Sequence, residues 1–311
     1  MPPSAQLHAF AKAPADVLED IPCAVCGADD VEFLHAKATP EGEVFPIVQC
    51  RKCRLVYVSP RRRQETLNEV YRTSVYFQTG NDKASGYSDY MGDRELHAIF
   101  FRQQLATIEG QVKVGRLLDV GCATGFLLDE ARKRGWETEG VELSEFASAY
   151  ARKELKLSVF NGTLREAKYP DGHFDAVVMD DVIEHVGDPE IEMKEVHRIL
   201  RPGGVVILHT PNADSPWYAV MGKHWIHLKP GQHLYFFSPR TLTTLMKRVG
   251  FDVLHARARG KTTDIAYILG RGKDYVHGLG AALQRLGRAL PGAHIPFPFR
   301  SGEMEMFAVR K

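Results

Sequence analysis

The sequence predicts an α/β fold built on a parallel sheet, and three observations predict it. Arg116-Leu117-Leu118-Asp119-Val120 is an apolar run that contains a carboxylate. It passes into Gly121-Cys122-Ala123-Thr124-Gly125 and then into Phe126 to Arg134 at helical spacing, which reads as strand, tight glycine-rich turn and helix. A second strand-like run, Trp136 to Glu142, ends in another acid, Gly140-Val141-Glu142. Strand and helix patterns then alternate, as a parallel sheet requires.

In chain order, residues 1–20 carry prolines and alanines without periodicity and read as a flexible arm. Residues 21–60 read as a small zinc-ribbon module. Cys23-Ala24-Val25-Cys26 and Cys50-Arg51-Lys52-Cys53 are two C-x-x-C knuckles with 23 residues between them. Four thiolates at that spacing suit a structural zinc and leave no open catalytic position; the plain alternative is four buried free thiols. Short strands are expected at Val31–Leu34, Phe45–Val48 and Leu55–Val58. Residues 61–110 read as a helical linker and lid, with helices at Glu65–Arg72 and Arg94–Gly110 and an aromatic loop between them.

Residues 111–311 read as the main domain, with strands at 116–120, 136–142, 157–160, 174–180, 203–210, 251–257 and 304–309. Helices are expected at 125–134, 145–154, 188–200 and 238–249, and a basic amphipathic helix around Tyr275 to Leu290. The turn glycines suit a ligand that approaches the backbone where a Cβ would collide, with the free N–H groups of the following helix pointing at it. Glu142 is placed to take two ribose hydroxyls as a bidentate acceptor. The fingerprint G-x-G-x-x-G is absent because position 123 is Ala. Asp119 suits the cationic end of a ligand and would repel a pyrophosphate.

Asp119-Val120-Gly121-Cys122-Ala123-Thr124-Gly125 resembles motif I of class I S-adenosylmethionine (SAM) dependent methyltransferases. Phe174 to Val186 resembles motif IV of the same family, and Leu200-Arg201-Pro202-Gly203-Gly204 resembles the turn before its fifth strand. The resemblance implies a Rossmann-like seven-stranded methyltransferase sheet, here behind a small N-terminal zinc-binding module. It implies SAM as cofactor, touched by Asp119, Gly121, Cys122, Ala123 and Gly125, then by Glu142, Leu143, Thr163, Leu164 and Asp180. Thr163 stands where the family often has Asp. Gly86-Tyr87-x-x-Tyr90 resembles the family's lid, so Tyr87 is placed over the sulfonium.

The stretch from Pro211 to Phe237 is long and rich in rings, and it leaves the end of the sheet where ligands bind. Gln232 to Ser238 resembles the acceptor-pocket segment of small-molecule methyltransferases. His233 is therefore the first candidate for the proton in methyl transfer, followed by His227 and His185; a packed structural histidine is the alternative in each case. Asp181-Val182-Ile183-Glu184-His185 is similar to the E-x-x-E-H segment of ubiquinone-pathway O-methyltransferases, which is linked to a divalent ion.

The expected acceptor is a small metabolite of the sugar nucleotide, polyketide or phenol class, methylated at O or C. Two other readings stay open. Arg51, Lys52, Arg54 and Arg61–Arg63 read as a phosphate or nucleic-acid contact or as a solvated basic face; a zinc module ahead of a SAM domain resembles one group of ribosomal RNA methyltransferases, against which stands a net charge of +1. A non-catalytic SAM-binding partner protein is the third. No run has the length and apolarity of a membrane span, and no leader pattern is present, so a cytoplasmic monomer or homodimer is expected.

Overall fold

The computed structural model describes residues 7–72, 94–265 and 297–311, together with isolated positions between 266 and 296. In the first part lie strands β1 (Leu18–Glu19), β2 (Val31–Ala38), β3 (Val44–Cys50), β4 (Val56–Val58) and β5 (Arg61–Arg62). β2 and β3 form an antiparallel hairpin, with Val31 opposite Cys50 and Ala38 opposite Val44. Its turn uses Gly42 at φ +90°, a conformation that glycine adopts without Cβ strain. β4 pairs antiparallel with β3. Residues 7–20, expected as a loose arm, are held: β1 pairs with β5, Lys12 bridges Val44, and Phe10 stacks on Phe33 at 4.5 Å. These are single-residue contacts, which leave no period in the sequence.

The main sheet has seven strands in the order β12-β13-β10-β9-β6-β7-β8. Its members are β6 (Arg116–Val120), β7 (Glu137–Glu142), β8 (Ser158–Asn161), β9 (Phe174–Asp180), β10 (Leu200–Pro211), β12 (Phe251–Thr263) and β13 (Phe297–Arg310). β8, β7, β6, β9 and β10 are parallel, and β13 runs antiparallel between β10 and β12. The Rossmann-like expectation holds.

Alternate side chains along the central strands face opposite layers. Leu117, Val178 and Ile207 pack with Phe100, Leu105, Leu127 and Leu128 of helices Arg94–Glu109 and Phe126–Lys133. Leu118, Val177, Met179 and Leu208 pack with Met193, Val196, Leu242 and Leu245 of helices Pro189–Ile199 and Pro239–Val249. Each such burial stabilises by roughly 1.5–3 kcal/mol. Those two helices begin where the sequence predicts, because Asp188 and Ser238 accept their first free N–H groups and proline follows each cap.

The stretch after β10 is more structured than a loop. It carries a short helix, Pro216–Met221, and strand β11 (Tyr235–Phe236). β11 pairs with β4, so the N-terminal sheet, in the order β11-β4-β3-β2, is completed by the C-terminal half of the chain. This covers an edge of β4 that would otherwise be open. Cys23, Val48, Leu55 and Tyr57 also share one apolar cluster with the main sheet.

Candidate active site

The parallel strands end on one edge, where β6 and β7 deliver two buried carboxylates, Asp119 and Glu142. Glu142 accepts two backbone N–H groups, from Ala123 at 2.9 Å and Ser144 at 2.7 Å, and so ties the glycine turn to β7. Burial pushes the Glu142 carboxyl up, and those amides pull it back. Asp119 lies well above the ordinary carboxylate range, through burial first and then through the charges of Asp180 and Glu142. The group favours a cationic ligand, which would restore its ionised form.

The turn glycines have a different cause from the one the sequence suggests. A Cβ on Gly121 would sit 2.6 Å from Val182, and one on Gly125 would sit 2.6 Å from Leu157. Both also hold positive φ. Packing and backbone conformation require these glycines before any ligand does. Cys122 is buried, with its Sγ 2.7 Å from the place a Cβ on Gly140 would take.

A cavity of about 1450 Å³ opens at this edge. Asp119, Gly121, Cys122 and Ala123 line it, as do Glu142, Leu143, Thr163, Leu164 and Asp180. Gly125 is outside the lining, and Tyr87 lies outside the described residues, as does most of the expected basic helix. The Thr163 hydroxyl caps helix Leu164–Ala167 in a reciprocal pair with Glu166. Asp180 accepts from Gln104 at 2.7 Å.

His185, His227 and His233 line the same cavity. Backbone pairing brings the first and last together: Leu234 N–H donates to the Glu184 carbonyl at 2.8 Å, and Val58 N–H donates to the Leu234 carbonyl at 3.0 Å. The rings of His185 and His233 are 4.6 Å apart between centroids. His185 Nδ1 lies 3.0 Å from the Gln232 carbonyl, which can only accept, so the ring carries its proton there and leaves Nε2 unprotonated. The Tyr71 hydroxyl lies 2.6 Å from the same nitrogen. Burial lowers His185 to about 4. It drives His233 well below the ordinary value, with the neighbouring His185 adding to the effect. His227 is half-buried beside Trp225, with ring centroids 5.2 Å apart.

A family model described as a methyltransferase domain matches residues 92–256. The chain belongs to the methyltransferase-domain family. Among curated relatives, the ubiquinone biosynthesis O-methyltransferase of Alkalilimnicola ehrlichii is 32% identical over 158 residues, covering 46% of this chain and 62% of that protein. The enzyme of the same name from Pseudomonas aeruginosa PAO1 is 32% identical over 150 residues, covering 44% of this chain and 65% of its own length. The chain thus spans less than two thirds of either relative. Among solved structures, the YcgJ protein of Bacillus subtilis is 17% identical with a TM-score of 0.50, covering 69% of this chain and 98% of that one; this likeness concerns the fold.

Ahead of the matched methyltransferase domain, Cys23, Cys26, Cys50 and Cys53 gather with every sulfur within 4.8 Å of the others. The Cys23–Cys53 and Cys26–Cys50 sulfurs are 3.3 and 3.5 Å apart, too far for disulfides and close to the edges of a tetrahedral thiolate set. The basic run beside them is absorbed only in part: Arg51, Lys52, Arg54 and Arg63 are exposed, whereas Arg61 is buried and Arg62 half-buried. Arg61 is 4% exposed, pairs with Glu19 at 2.9 Å, and donates to the Tyr235 hydroxyl and the Gly187 carbonyl. Arg62 pairs with Glu43, and Arg51 lies 3.4 Å from Asp30.

Two residues of the candidate site escape sequence reading: Tyr71 and Gln104 carry no motif and act through contacts distant in the chain. The pattern Asp181, Glu184, His185 also divides in space. Glu184 and His185 gather with His233, whereas Asp181 gathers with His209 and Glu303.

Proposed function

We propose that this protein is a SAM-dependent methyltransferase acting on a hydroxyl of a small, largely apolar metabolite of the phenol class. The observation that carries the reading is one cavity lined both by buried carboxylates and by a neutral histidine pair. Bound there, SAM supplies a methyl group on a sulfonium. Asp119 and Asp180 set the negative charge that its cationic end requires, Glu142 takes the ribose hydroxyls, and Leu143, Thr163 and Leu164 border the adenine. His233, held neutral by burial, accepts the proton of the hydroxyl, and His185 positions it. The names of the relatives support an oxygen acceptor.

In the same reading, Cys23, Cys26, Cys50 and Cys53 hold a structural zinc, for which the donor set and sulfur spacing fit. The buried, internally paired Arg61 supports packing of the module onto the domain rather than RNA contact. The test is transfer of labelled methyl from SAM to a panel of hydroxylated aromatic acceptors, with structured RNA as a second arm. Turnover on a phenol that depends on His233 is expected. Labelling of RNA alone, or tight SAM binding without any acceptor, would replace this reading.

A further inference from the structure

Beside the proposed cofactor site, three neighbouring strands bring side chains to one point that the proposed chemistry does not use. Asp181 directly follows β9, His209 lies near the end of β10, and Glu303 lies in β13 two positions from the partner of His209. One ligand atom from each falls within 4.8 Å of the others. We propose that Asp181, His209 and Glu303 form a site for a divalent transition ion of the Mn²⁺ or Zn²⁺ kind.

His209 is the strongest observation. Its side chain is fully buried, yet neither ring nitrogen has a hydrogen-bond partner among the described residues. A buried imidazole left unpartnered is destabilising, so such groups normally have a role that satisfies them. Its Nδ1 lies 3.6 Å from Asp181 Oδ1, too long for a hydrogen bond but suited to two ligands on a common ion. The Phe100 ring stands edge to face against the imidazole at 5.3 Å between centroids and fixes its orientation.

Donor chemistry points the same way. Glu303 is 2% exposed and brings a buried carboxylate oxygen to the imidazole and to Asp181. One nitrogen and two carboxylate donors suit Mn²⁺ or Zn²⁺ better than the soft thiolate set of the knuckles does Mn²⁺. The Asp181 side chain keeps 26% of its surface, and both Asp181 and Glu303 border the cavity. Remaining coordination positions would therefore face water or an acceptor oxygen. The site stands on this geometry alone and requires no methyl donor. It also differs from the arrangement the Asp181-x-x-Glu184-His185 pattern suggests, since Glu184 and His185 turn to His233 instead.

The experiment is titration of the full chain, carrying a single equivalent of zinc for the cysteine knuckles as checked by elemental analysis, with Mn²⁺, read by the loss of the free-ion electron paramagnetic resonance signal, without SAM or acceptor. One Mn²⁺ per chain is expected. Glu303→Gln and His209→Asn should each weaken it by about tenfold or more, while His185→Gln leaves it unchanged. Far-ultraviolet circular dichroism checks the fold of each variant. If either buried change unfolds the protein, Asp181→Asn, at a partly exposed position, carries the test. Absence of bound Mn²⁺, binding that survives the substitutions at the proposed ligands, or equal loss in His185→Gln would overturn the proposal.

Discussion

The imidazoles of His185 and His233 meet edge to face, their planes 87° apart. They are held there by the backbone bond from Leu234 N–H to the Glu184 carbonyl, one residue from each ring. If His233 accepts the acceptor's proton, His233→Asn should lower kcat by roughly 10²–10⁴ while SAM affinity stays unchanged. His185→Gln should produce a smaller loss, because it disturbs position rather than the proton acceptor. Steady-state kinetics with the labelled acceptor, beside calorimetry with SAM, separate the two. Full turnover in His233→Asn would return His233 to a packing role.

The same burial sets a pH dependence. His185 falls from the ordinary 6.5 to about 4, and His233 is depressed further by its neighbour. Both rings stay neutral as pH drops through 6.5, so the base form for catalysis should persist there and be lost only at lower pH. Stability has the same sign. The unfolded chain takes up these protons first, so the contribution is full above pH 6.5 and is lost as pH falls through the folded value. For His185 alone the change is on the order of 3 kcal/mol. Chemical denaturation at pH 7 and pH 4.5 should show His185→Gln losing less on acidification than the parent. Equal acid sensitivity in both would remove His185 as the source.

Glu142 joins the turn to the ribose end of the proposed cofactor site. Glu142→Ala should weaken SAM binding by about 1–3 kcal/mol, the loss of a charge-assisted acceptor. The carboxylate also holds the Ala123 and Ser144 amides, so Ala should lower the melting temperature too. Glu142→Gln keeps one acceptor oxygen and should recover part of both effects. Unchanged calorimetric affinity in the Ala variant would move the ribose elsewhere.

Much of this could be read from the sequence, for physical reasons. Residues 116–120 and 174–180 form strands as expected because each buries both faces in a parallel sheet, which writes a continuous apolar run. Asp188 and Ser238 mark helix starts because capping is local chemistry. What could not be read is what joins distant segments. β11 pairs with β4 across more than 170 residues, and no period in either strand announces it. His209 lies in a run of buried strand residues and looks like core until β13 brings Glu303 beside it.

Arg61 shows how a charge run misleads. In sequence it belongs to a basic face; in the fold it is an interior tie between Glu19, Tyr235 and Gly187. Arg61→Met should cost about 3 kcal/mol, since it leaves the partly buried Glu19 without its cationic partner, while the Gly187 carbonyl keeps the Tyr235 hydroxyl as donor. Denaturant melts measure this directly. RNA affinity, titrated against salt, should not respond to the change; a reduced salt slope would instead mark Arg61 as a phosphate contact.

A backbone route links the knuckles to the proposed acceptor site. Cys50 ends β3 and Cys53 leads into β4, where Val58 N–H holds the Leu234 carbonyl next to His233. Leu234 in turn holds the Glu184 carbonyl next to His185. Removing the proposed zinc should therefore disturb the histidine pair more than the glycine turn, which depends on β6 and β7. Elemental analysis should find zinc at about one equivalent, the stoichiometry of a Cys₄ site. Chelation, or Cys50→Ser, should raise the acceptor KM and lower kcat while SAM affinity holds, together with a lower melting temperature because Cys23 and Cys50 share an apolar cluster with the main sheet. A parallel fall in SAM affinity would show general unfolding instead. Unchanged kinetics after verified zinc loss would show that β4 keeps its register on β11 without the metal.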